Sequence, residues 1–396
     1  MGQEKKQSRS ERKLIGKVDP ATGKIVPTRP YKKKGPPADE RPSKPGPPPI
    51  VKMQRGFYGA TYLFDEIGKI TGITDDLKNC FPETYRQILS VAYYLILEEN
   101  NSLSRFSHWQ KLHLHPYGED IPSQRSSELF QSIDEEGRMS FFRKQGKRRI
   151  EREYWAFDIT SISSYSEALS QVKKGKNKEH DRLPQINLAL VFGEQSGLPF
   201  YYRKLPGNIT DVTTVKQLVR EFDILGCEKV KVVLDRGFYS RNNINALYQN
   251  HQKFIIGVRL GLQYVVTAKN YGYFALLSNE VKAPYEALSL YRSKDVIEKA
   301  FGDLKERLNF RRMQVSSELS LNGKLFVEFV ALIYLSYVKK KMQDANLFEK
   351  WTLQGLLDEL DTIELFEAPE HGRILGEVAK KQTEIYHALE VKPLSL

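Results

Sequence analysis

Residues 229–240 read KVKVVLDRGFYS, an apolar alternating run that ends in Asp235 and is followed by a glycine turn. The segment KVKVVL is rich in valine, which favours strands. Gly237 lets the backbone turn sharply after this run. The sequence therefore predicts a strand that ends at Asp235, with the Asp235 carboxylate exposed at the strand end. The alternative interpretation, an aspartate that caps the helix predicted near Asn242, stays open on these residues alone.

Four further segments predict strands of the same sheet. They are residues 154–159 (YWAFDI), 185–192 (QINLALVF), 199–204 (PFYYRK) and 253–258 (KFIIGV). A turn at residues 193–197 makes a hairpin of QINLALVF and PFYYRK, and helices are predicted at residues 212–222 and 242–249. A hairpin followed by alternating helices and strands predicts a mixed α/β sheet of the ribonuclease-H-like class, flanked by helical regions.

Asp158 is the second candidate carboxylate. It falls near the end of YWAFDI and precedes a small polar run at residues 160–164. Because strand ends in an α/β sheet present ligands to a crevice, Asp158 and Asp235 are both predicted to face such a crevice. A turn-capping aspartate is the alternative.

Glu298 is the third candidate, in a helix predicted from about residue 285 to 308. At 100° per residue, Tyr291, Lys294, Glu298 and Lys305 fall within about 60° of one another and form a polar stripe. The adjoining apolar face consists of Ile297, Ala300, Phe301, Leu304 and Leu308. This face can bury the helix on the sheet while Glu298 points at the crevice, whereas a solvated charged helix is the alternative.

Three carboxylates from two strands and a helix suit hard divalent cations such as Mg²⁺ or Mn²⁺. Two such ions, ~3.5 to 4 Å apart, activate an attacking oxygen and stabilise a leaving one in phosphoryl transfer. The chain has only two cysteines, Cys80 and Cys227, so neither a disulfide framework nor a Cys-ligated zinc site is expected. His113 and His115 are interpreted as surface or core histidines rather than metal ligands.

Charge predicts a polyanionic partner, because the net charge is +12 and nucleic acid is the usual partner of such a field. Residues 1–50 hold 13 basic and 5 acidic side chains and 10 of the 19 prolines, which predicts a disordered or extended arm, either a DNA-binding arm or a solvated linker. No secretory h-region is seen, and the apolar run at residues 325–338 predicts a buried core helix. We therefore expect a cytoplasmic protein with no membrane partner.

The remaining organisation is helical. Residues 51–152 are predicted to form a helical DNA-binding region, with YRQILSVAYYLILEE at residues 85–99 as its clearest helix. A helix-turn-helix-like module and a plain helical scaffold both fit the residues that follow. Residues 153–340 are predicted as the catalytic domain, and residues 341–396 as a C-terminal helical region that is a candidate for dimerisation.

Four segments resemble the DDE transposases of bacterial insertion sequences. They are FDITSISSYSE (residues 157–167), LPGNITDVTTV (205–215), VVLDRGFYS (232–240) and YRSKDVIEKAFGDLKERL (291–308). They are similar to the family-four group, whose third motif is Tyr, two residues, Arg, three residues, Glu, six residues, Lys. Tyr291, Lys294, Glu298 and Lys305 keep this spacing, with a lysine that retains the charge of the arginine but loses its bidentate fork.

The resemblance implies a catalytic domain with Mg²⁺ or Mn²⁺ as two bound ions. It also implies double-stranded DNA partners, namely terminal inverted repeats and target DNA, and a homodimer that brings two element ends together in a synaptic complex. By family role, the metal ligands are Asp158, Asp235 and Glu298, and the DNA-binding residues are Tyr291, Lys294 and Lys305.

Two features depart from the family pattern. Family members commonly carry a β insertion between the second Asp and the Glu, but here only residues 260–270 separate KFIIGV from the next predicted strand, YGYFALL (residues 271–277). The chain also begins within the basic arm, where a further stretch is expected. These departures predict a naturally compact form or a decayed copy. The alternatives to an active transposase are therefore an inactive or truncated protein that only binds end DNA, and a nuclease of the same fold.

Overall fold

A computed structural model describes the chain at residues 15–26, 54–99, 102–148, 153–166, 169–175, 183–209, 211–227, 230–258, 275–308, 310, 312–313, 315, 317–368 and 372–395. Its contacts divide the chain into two units, Met1–Val51 and Lys52–Leu396. In the first unit, β1 (Lys17–Val18) and β2 (Ile25–Val26) form a short antiparallel hairpin within the predicted basic arm. The rest of that arm lies outside the described residues.

The second unit contains helices and strands throughout its length. Its helices are α1 (Gly59–Thr71), α2 (Ile73–Cys80), α3 (Tyr85–Leu97), α4 (Phe106–Trp109), α5 (Ser123–Ser132), α6 (Glu135–Lys147), α7 (Asp211–Ile224), α8 (Arg241–Gln249), α9 (Pro284–Ser293), α10 (Asp295–Gly302), α11 (Glu318–Asp344), α12 (Leu353–Asp361) and α13 (Lys380–Ala388). Its strands are β3 (Gln54–Phe57), β4 (Trp155–Ser164), β5 (Gln185–Gly193), β6 (Pro199–Pro206), β7 (Lys231–Leu234), β8 (Lys253–Val258), β9 (Ala275–Ser278), β10 (Arg312–Met313), β11 (Glu364–Ala368) and β12 (Gly372–Leu375). Short 3₁₀ turns lie at Leu103–Arg105, Arg236–Phe238 and Leu347–Glu349, and a π-helical turn lies at Asp303–Arg307.

The central sheet has the strand order β6-β5-β4-β7-β8-β9, and β10 pairs with β4. Strands β4, β5 and β6 form an antiparallel meander, whereas β7 and β8 add to β4 in parallel. Helices α7 and α8 make the crossovers into β7 and β8, and every residue of β5 is buried. The predicted ribonuclease-H-like mixed sheet is confirmed. Both crossover helices and strands β5, β6, β7 and β8 lie within two residues of the predicted bounds.

The sequence was wrong about where β4 ends. The strand continues past Asp158 to Ser164, because its hydroxyl residues stay paired with β5 as far as Ser163 and Gln185, and β10 adds at its end. Residues 160–164 are all buried. Asp158 therefore lies in the middle of a strand, although the parallel neighbour β7 ends one residue before the level of Asp158.

The apolar run predicted as a buried core helix forms α11. Among the described residues this is the one helix long and apolar enough to cross a membrane, and 83% of its apolar window is buried inside the protein. The helix packs against α3, α5 and β6. It therefore joins the helical region before the sheet to the sheet itself, and the prediction of a core helix is confirmed.

Gly323 allows α11 and α5 to cross closely. A Cβ atom on Gly323 would lie 1.9 Å from the backbone carbonyl oxygen of Phe130, an atom that cannot rotate away.

We expect Gly323→Ala to lower the free energy of unfolding by about 3 kcal/mol, because the two helices must separate. Urea denaturation measures this loss. Gly302→Ala in α10 is the control, since a Cβ there meets no atom within 4 Å; an equal loss in both variants would contradict the close crossing.

The C-terminal region predicted as helical contains α12 and α13, and also two strands that the sequence analysis did not predict. Strands β11 and β12 form a hairpin there, and β11 also pairs with β3, which gives a three-stranded sheet in the order β12-β11-β3. Leu365 is buried, as in a strand with one face on the core. Because β3 precedes α1, this sheet ties residues near position 55 to the last part of the chain.

The paired histidines are structural, as predicted. The buried ring of His113 stacks on Trp109 and its Nε2 atom lies 2.7 Å from Asp361 Oδ2. The Nδ1 atom of His115 lies 2.9 Å from the hydroxyl oxygen of Ser90, on α3. Since the second half of α3 is entirely buried, this helix serves as scaffold for the loop that holds both histidines.

Candidate active site

Asp158 and Asp235 stand at the same level of two neighbouring parallel strands. Strands β4 and β7 pair Phe157 with Leu234, so Asp158 on β4 and Asp235, the residue directly after β7, follow at the next level of this register. Adjacent strands are ~4.8 Å apart, and residues at one register level point to the same face of a sheet. The two aspartates, predicted from separate segments, are thus brought to one point of the sheet.

Asp235 is held by two donors from the helical segment that follows the sheet. Its Oδ1 atom accepts a hydrogen bond of 2.7 Å from the Tyr291 hydroxyl and one of 3.1 Å from Lys294 Nζ. Burial raises the pKa of the Asp235 carboxyl, but the hydrogen bonds from Tyr291 and Lys294 outweigh it, so the net pKa is below its usual value. Asp235 is therefore ionised at neutral pH.

Glu298 lies at the edge of the site, on α10. The buried side chains of Ile297, Ala300 and Phe301 hold α10 against β4 and β5, as its apolar face predicted. The Glu298 side chain is 64% exposed, and its Oε1 atom lies 3.7 Å from Lys294 Nζ. The Lys294 ammonium therefore lies between the carboxylates of Asp235 and Glu298.

The three carboxylates are not gathered into one cluster. In the part of the chain that the structure describes, no group of three His, Cys, Asp or Glu side chains is close enough to hold a metal ion. The Lys294 side chain, only 17% exposed, supplies a positive charge between Asp235 and Glu298. The donor set consists of carboxylate oxygens, the hard ligands that Mg²⁺ and Mn²⁺ prefer.

The helix predicted as continuous from residue 285 to 308 is divided. Helix α9 ends at Ser293 and α10 begins at Asp295, with Lys294 between them, and the π-helical turn follows at Asp303–Arg307. A π turn has more residues than an α turn, so a stripe drawn at 100° per residue does not continue to Lys305. Tyr291 and Lys294 contact Asp235, and Glu298 contacts Lys294, whereas Lys305 lies beyond the change of helix type.

Sequence reasoning missed Gly257. Strands β7 and β8 pair Leu234 with Ile256, so Gly257 continues the register beside Asp235. The available signal was a glycine inside the apolar strand KFIIGV, because an interior strand glycine often marks a close approach.

Two aspartates at one level of a sheet supply the carboxylate oxygens that a divalent-ion site for phosphoryl transfer needs. Residues 150–334, slightly less than half of the chain, match the family model described as the transposase DDE domain. This match supports a DDE transposase, the class that the sequence predicted. DDE transposases generally depend on divalent metal ions.

No curated protein matches the chain significantly. Among solved structures, the chain is similar to a piggyBac transposase synaptic complex with hairpin DNA, determined by cryo-EM. The identity is 12%, the match covers 75% of this chain and 70% of that chain, and the TM-score is 0.39.

We expect Lys294→Met to raise the affinity of the protein for Mn²⁺ about tenfold, because it removes an ammonium that competes with a cation for Asp235 and Glu298. Isothermal titration of metal-free protein with Mn²⁺ measures the change. Lys299→Met is the control, since Lys299 is exposed on α10, the helix that begins directly after Lys294. Unchanged or weaker Mn²⁺ binding in Lys294→Met would show that Lys294 does not compete with the ion.

Proposed function

We propose that this protein is the transposase of a bacterial insertion sequence, of the family-four group with the Tyr-Arg-Glu-Lys signature. It hydrolyses DNA at terminal inverted repeats and joins the free 3′ hydroxyl ends to target DNA. The observation that carries the proposal is the register of Asp158 beside Asp235, with Glu298 linked to Asp235 through Lys294. The transposase DDE domain match over residues 150–334 supports it.

Asp158, Asp235 and Glu298 would hold the two divalent ions, Mg²⁺ or Mn²⁺. When bound, such ions polarise the phosphoryl oxygens and lower the pKa of an attacking water or hydroxyl. Asp235 is ionised before any ion arrives, because its pKa is lowered. The side chain of Glu298 is 64% exposed, so it would be able to turn toward the aspartates if Lys294 gave up its place to an ion.

The released Lys294 ammonium then holds a DNA phosphate as a point charge, together with Lys305 further along the chain. The family pattern gives Tyr291 the same role. The net charge of +12 supports DNA as the partner, and residues 1–50 act as a basic arm on its backbone.

The wider organisation follows from the same proposal. Residues 51–152 form a DNA-binding region, residues 153–340 a catalytic domain without the usual β insertion, and residues 341–396 a dimerisation region. The active form is a homodimer that holds two element ends in a synaptic complex. It acts in the cytoplasm of a prokaryotic cell, on the nucleoid.

One observation favours a second candidate function, an inactive protein that binds end DNA without cutting it. Among the described residues the three carboxylates are not gathered, because Lys294 occupies the position between two of them. If Lys294 were not displaced, the protein would still bind DNA through its basic residues.

Incubation of the purified protein with DNA carrying the inverted repeats that flank its own reading frame tests these functions. A second, unrelated duplex serves as target, and parallel reactions contain Mg²⁺ or EDTA. Ends that are cut and joined to the target only with Mg²⁺ support the transposase. Cutting without joining would indicate a nuclease of the same fold, and a shifted but intact duplex would indicate the end-binding protein.

A further inference from the structure

We propose that Tyr291 is a positioning residue for Asp235, seated in a notch that Gly257 leaves in β8, rather than a residue that contacts DNA. The inference rests on the proposed function, because it concerns the placement of a metal ligand. It assigns a role to Gly257 and changes the role that the family pattern implies for Tyr291.

The one proton of the Tyr291 hydroxyl is used within the protein. The hydroxyl donates to Asp235 Oδ1 at 2.7 Å. A phosphate offers only acceptors, so contact with DNA would require Tyr291 to give up its one donated bond to Asp235.

Gly257 provides the space for that hydroxyl. A Cβ atom on Gly257 would lie 2.6 Å from Tyr291 Oη, 3.0 Å from the Arg236 backbone nitrogen and 3.1 Å from Arg236 Cβ. Its φ angle is not positive, so the glycine is not required by backbone conformation. Glycine is otherwise disfavoured inside a strand, and here the close approach of Tyr291 accounts for it.

Three strands and one helix meet around the Asp235 carboxylate. Asp158 on β4, Asp235 after β7 and Gly257 on β8 occupy one register level, and Tyr291 on α9 closes over that row. Lys294 Nζ lies 5.1 Å from the centre of the Tyr291 ring and donates to the same Asp235 oxygen. Tyr291 therefore fixes Asp235 whether Lys294 stays or leaves, because its bond to Asp235 does not pass through Lys294.

The first test separates positioning from DNA contact. We expect Tyr291→Phe to weaken Mn²⁺ binding about tenfold, as loss of a residue that orients a metal ligand typically does. Its affinity for end DNA in EDTA should equal that of the wild type. Tyr285→Phe is the matched control, since Tyr285 lies on the same helix and is 87% exposed. Weaker DNA binding with unchanged Mn²⁺ binding in Tyr291→Phe would overturn the proposal.

The second test examines the notch without metal. Gly257→Ala should lower the Tm, and Gly257→Ala combined with Tyr291→Phe should recover part of that loss, because the double variant lacks the hydroxyl that the new Cβ meets. Gly56→Ala on β3 is the control: its Cβ would meet the Leu114 side chain at 2.9 Å, and Tyr291→Phe should not relieve it. Purely additive losses of Tm would overturn the notch.

Asp235→Asn distinguishes a failure of the proposed metal site from a failure of the positioning role of Tyr291. If Asp235→Asn leaves Mn²⁺ binding unchanged, the proposed metal site is wrong, while the recovery of Tm still decides whether Gly257 seats Tyr291. If Asp235→Asn weakens Mn²⁺ binding and Tyr291→Phe does not, the metal site stands and the positioning role of Tyr291 is wrong.

Discussion

Asp235→Asn is expected to reduce the rate of DNA cleavage at least ~1,000-fold, because loss of a metal ligand removes several kcal/mol of transition-state stabilisation and each ~1.4 kcal/mol is tenfold in rate. The amide keeps the shape of the carboxylate but loses its charge. DNA binding should therefore stay nearly unchanged. Asp158→Asn and Glu298→Gln are expected to have effects of the same order.

Single-turnover cleavage of labelled end DNA in Mg²⁺ measures the rate, and a gel shift in EDTA measures binding. Asp223→Asn is the control, because Asp223 is exposed on α7. Wild-type cleavage by Asp158→Asn, Asp235→Asn or Glu298→Gln would remove that residue from the site. Loss of DNA binding in parallel with cleavage would indicate an effect on the fold or on DNA contact instead.

The second large expected effect concerns the buried carboxyl of Glu328 on α11, which is not one of the predicted site residues. Glu328 is 1% exposed, and neither of its carboxyl oxygens has a hydrogen-bond partner. Lys324 Nζ lies 3.6 Å from Oε1, on the preceding turn. Burial raises the pKa of Glu328 to about 8, against an ordinary value of 4.5, and Lys324 offsets only part of this shift.

Glu328→Gln is expected to raise the free energy of unfolding by about 3 to 5 kcal/mol at pH 8 and to change it little at pH 4. Between pH 4.5 and about 8 the folded protein holds a proton on Glu328 that the unfolded chain releases. Stability of the wild type therefore falls as pH rises through this window, by the contribution of this group. Glutamine does not titrate, so the variant does not have this loss.

Urea denaturation at pH 4.5, 6 and 8 measures the difference between Glu328→Gln and the wild type. Glu384→Gln on α13 is the control, since that side chain is 66% exposed. A variant less stable than the wild type at pH 8 would show that Glu328 is ionised and that its attraction to Lys324 outweighs the cost of burial.

The strands of the sheet could be predicted because their signal is local. Alternating valine, isoleucine and aromatic residues identify β5, β6, β7 and β8 without knowledge of their neighbours. The buried face of α10 is equally local, since the helical period of Ile297, Ala300 and Phe301 is visible in the sequence. Asp235 was found in this way, as the residue directly after a strand.

The elements of the fold that the sequence did not predict depend on pairing between residues that are distant in sequence. The extension of β4 through Ser164 depends on pairing with β5 and β10, and the sheet formed by β3, β11 and β12 joins the two ends of the second unit. The π turn contains Asp303, whose carboxylate pairs with Lys339 on α11. Local propensity carries no signal for such pairings.

The features of the site also divide into those that the sequence could predict and those that depend on contacts between distant residues. Motif spacing identified Tyr291, Lys294 and Glu298 as neighbours, but not that Lys294 lies between two carboxylates. Gly257 was missed because its importance appears only when β7 and β8 are placed in register and Tyr291 is laid over them.

Asp235→Cys tests the metal-ligand role of Asp235 most directly, because a thiolate is a poor ligand for Mg²⁺ and a better one for the softer Mn²⁺. The measurement is cleavage of end DNA by this variant with each ion in turn. We predict no cleavage with Mg²⁺ and restored cleavage with Mn²⁺. Cleavage at the wild-type rate with Mg²⁺ would contradict the assignment of Asp235 as a metal ligand.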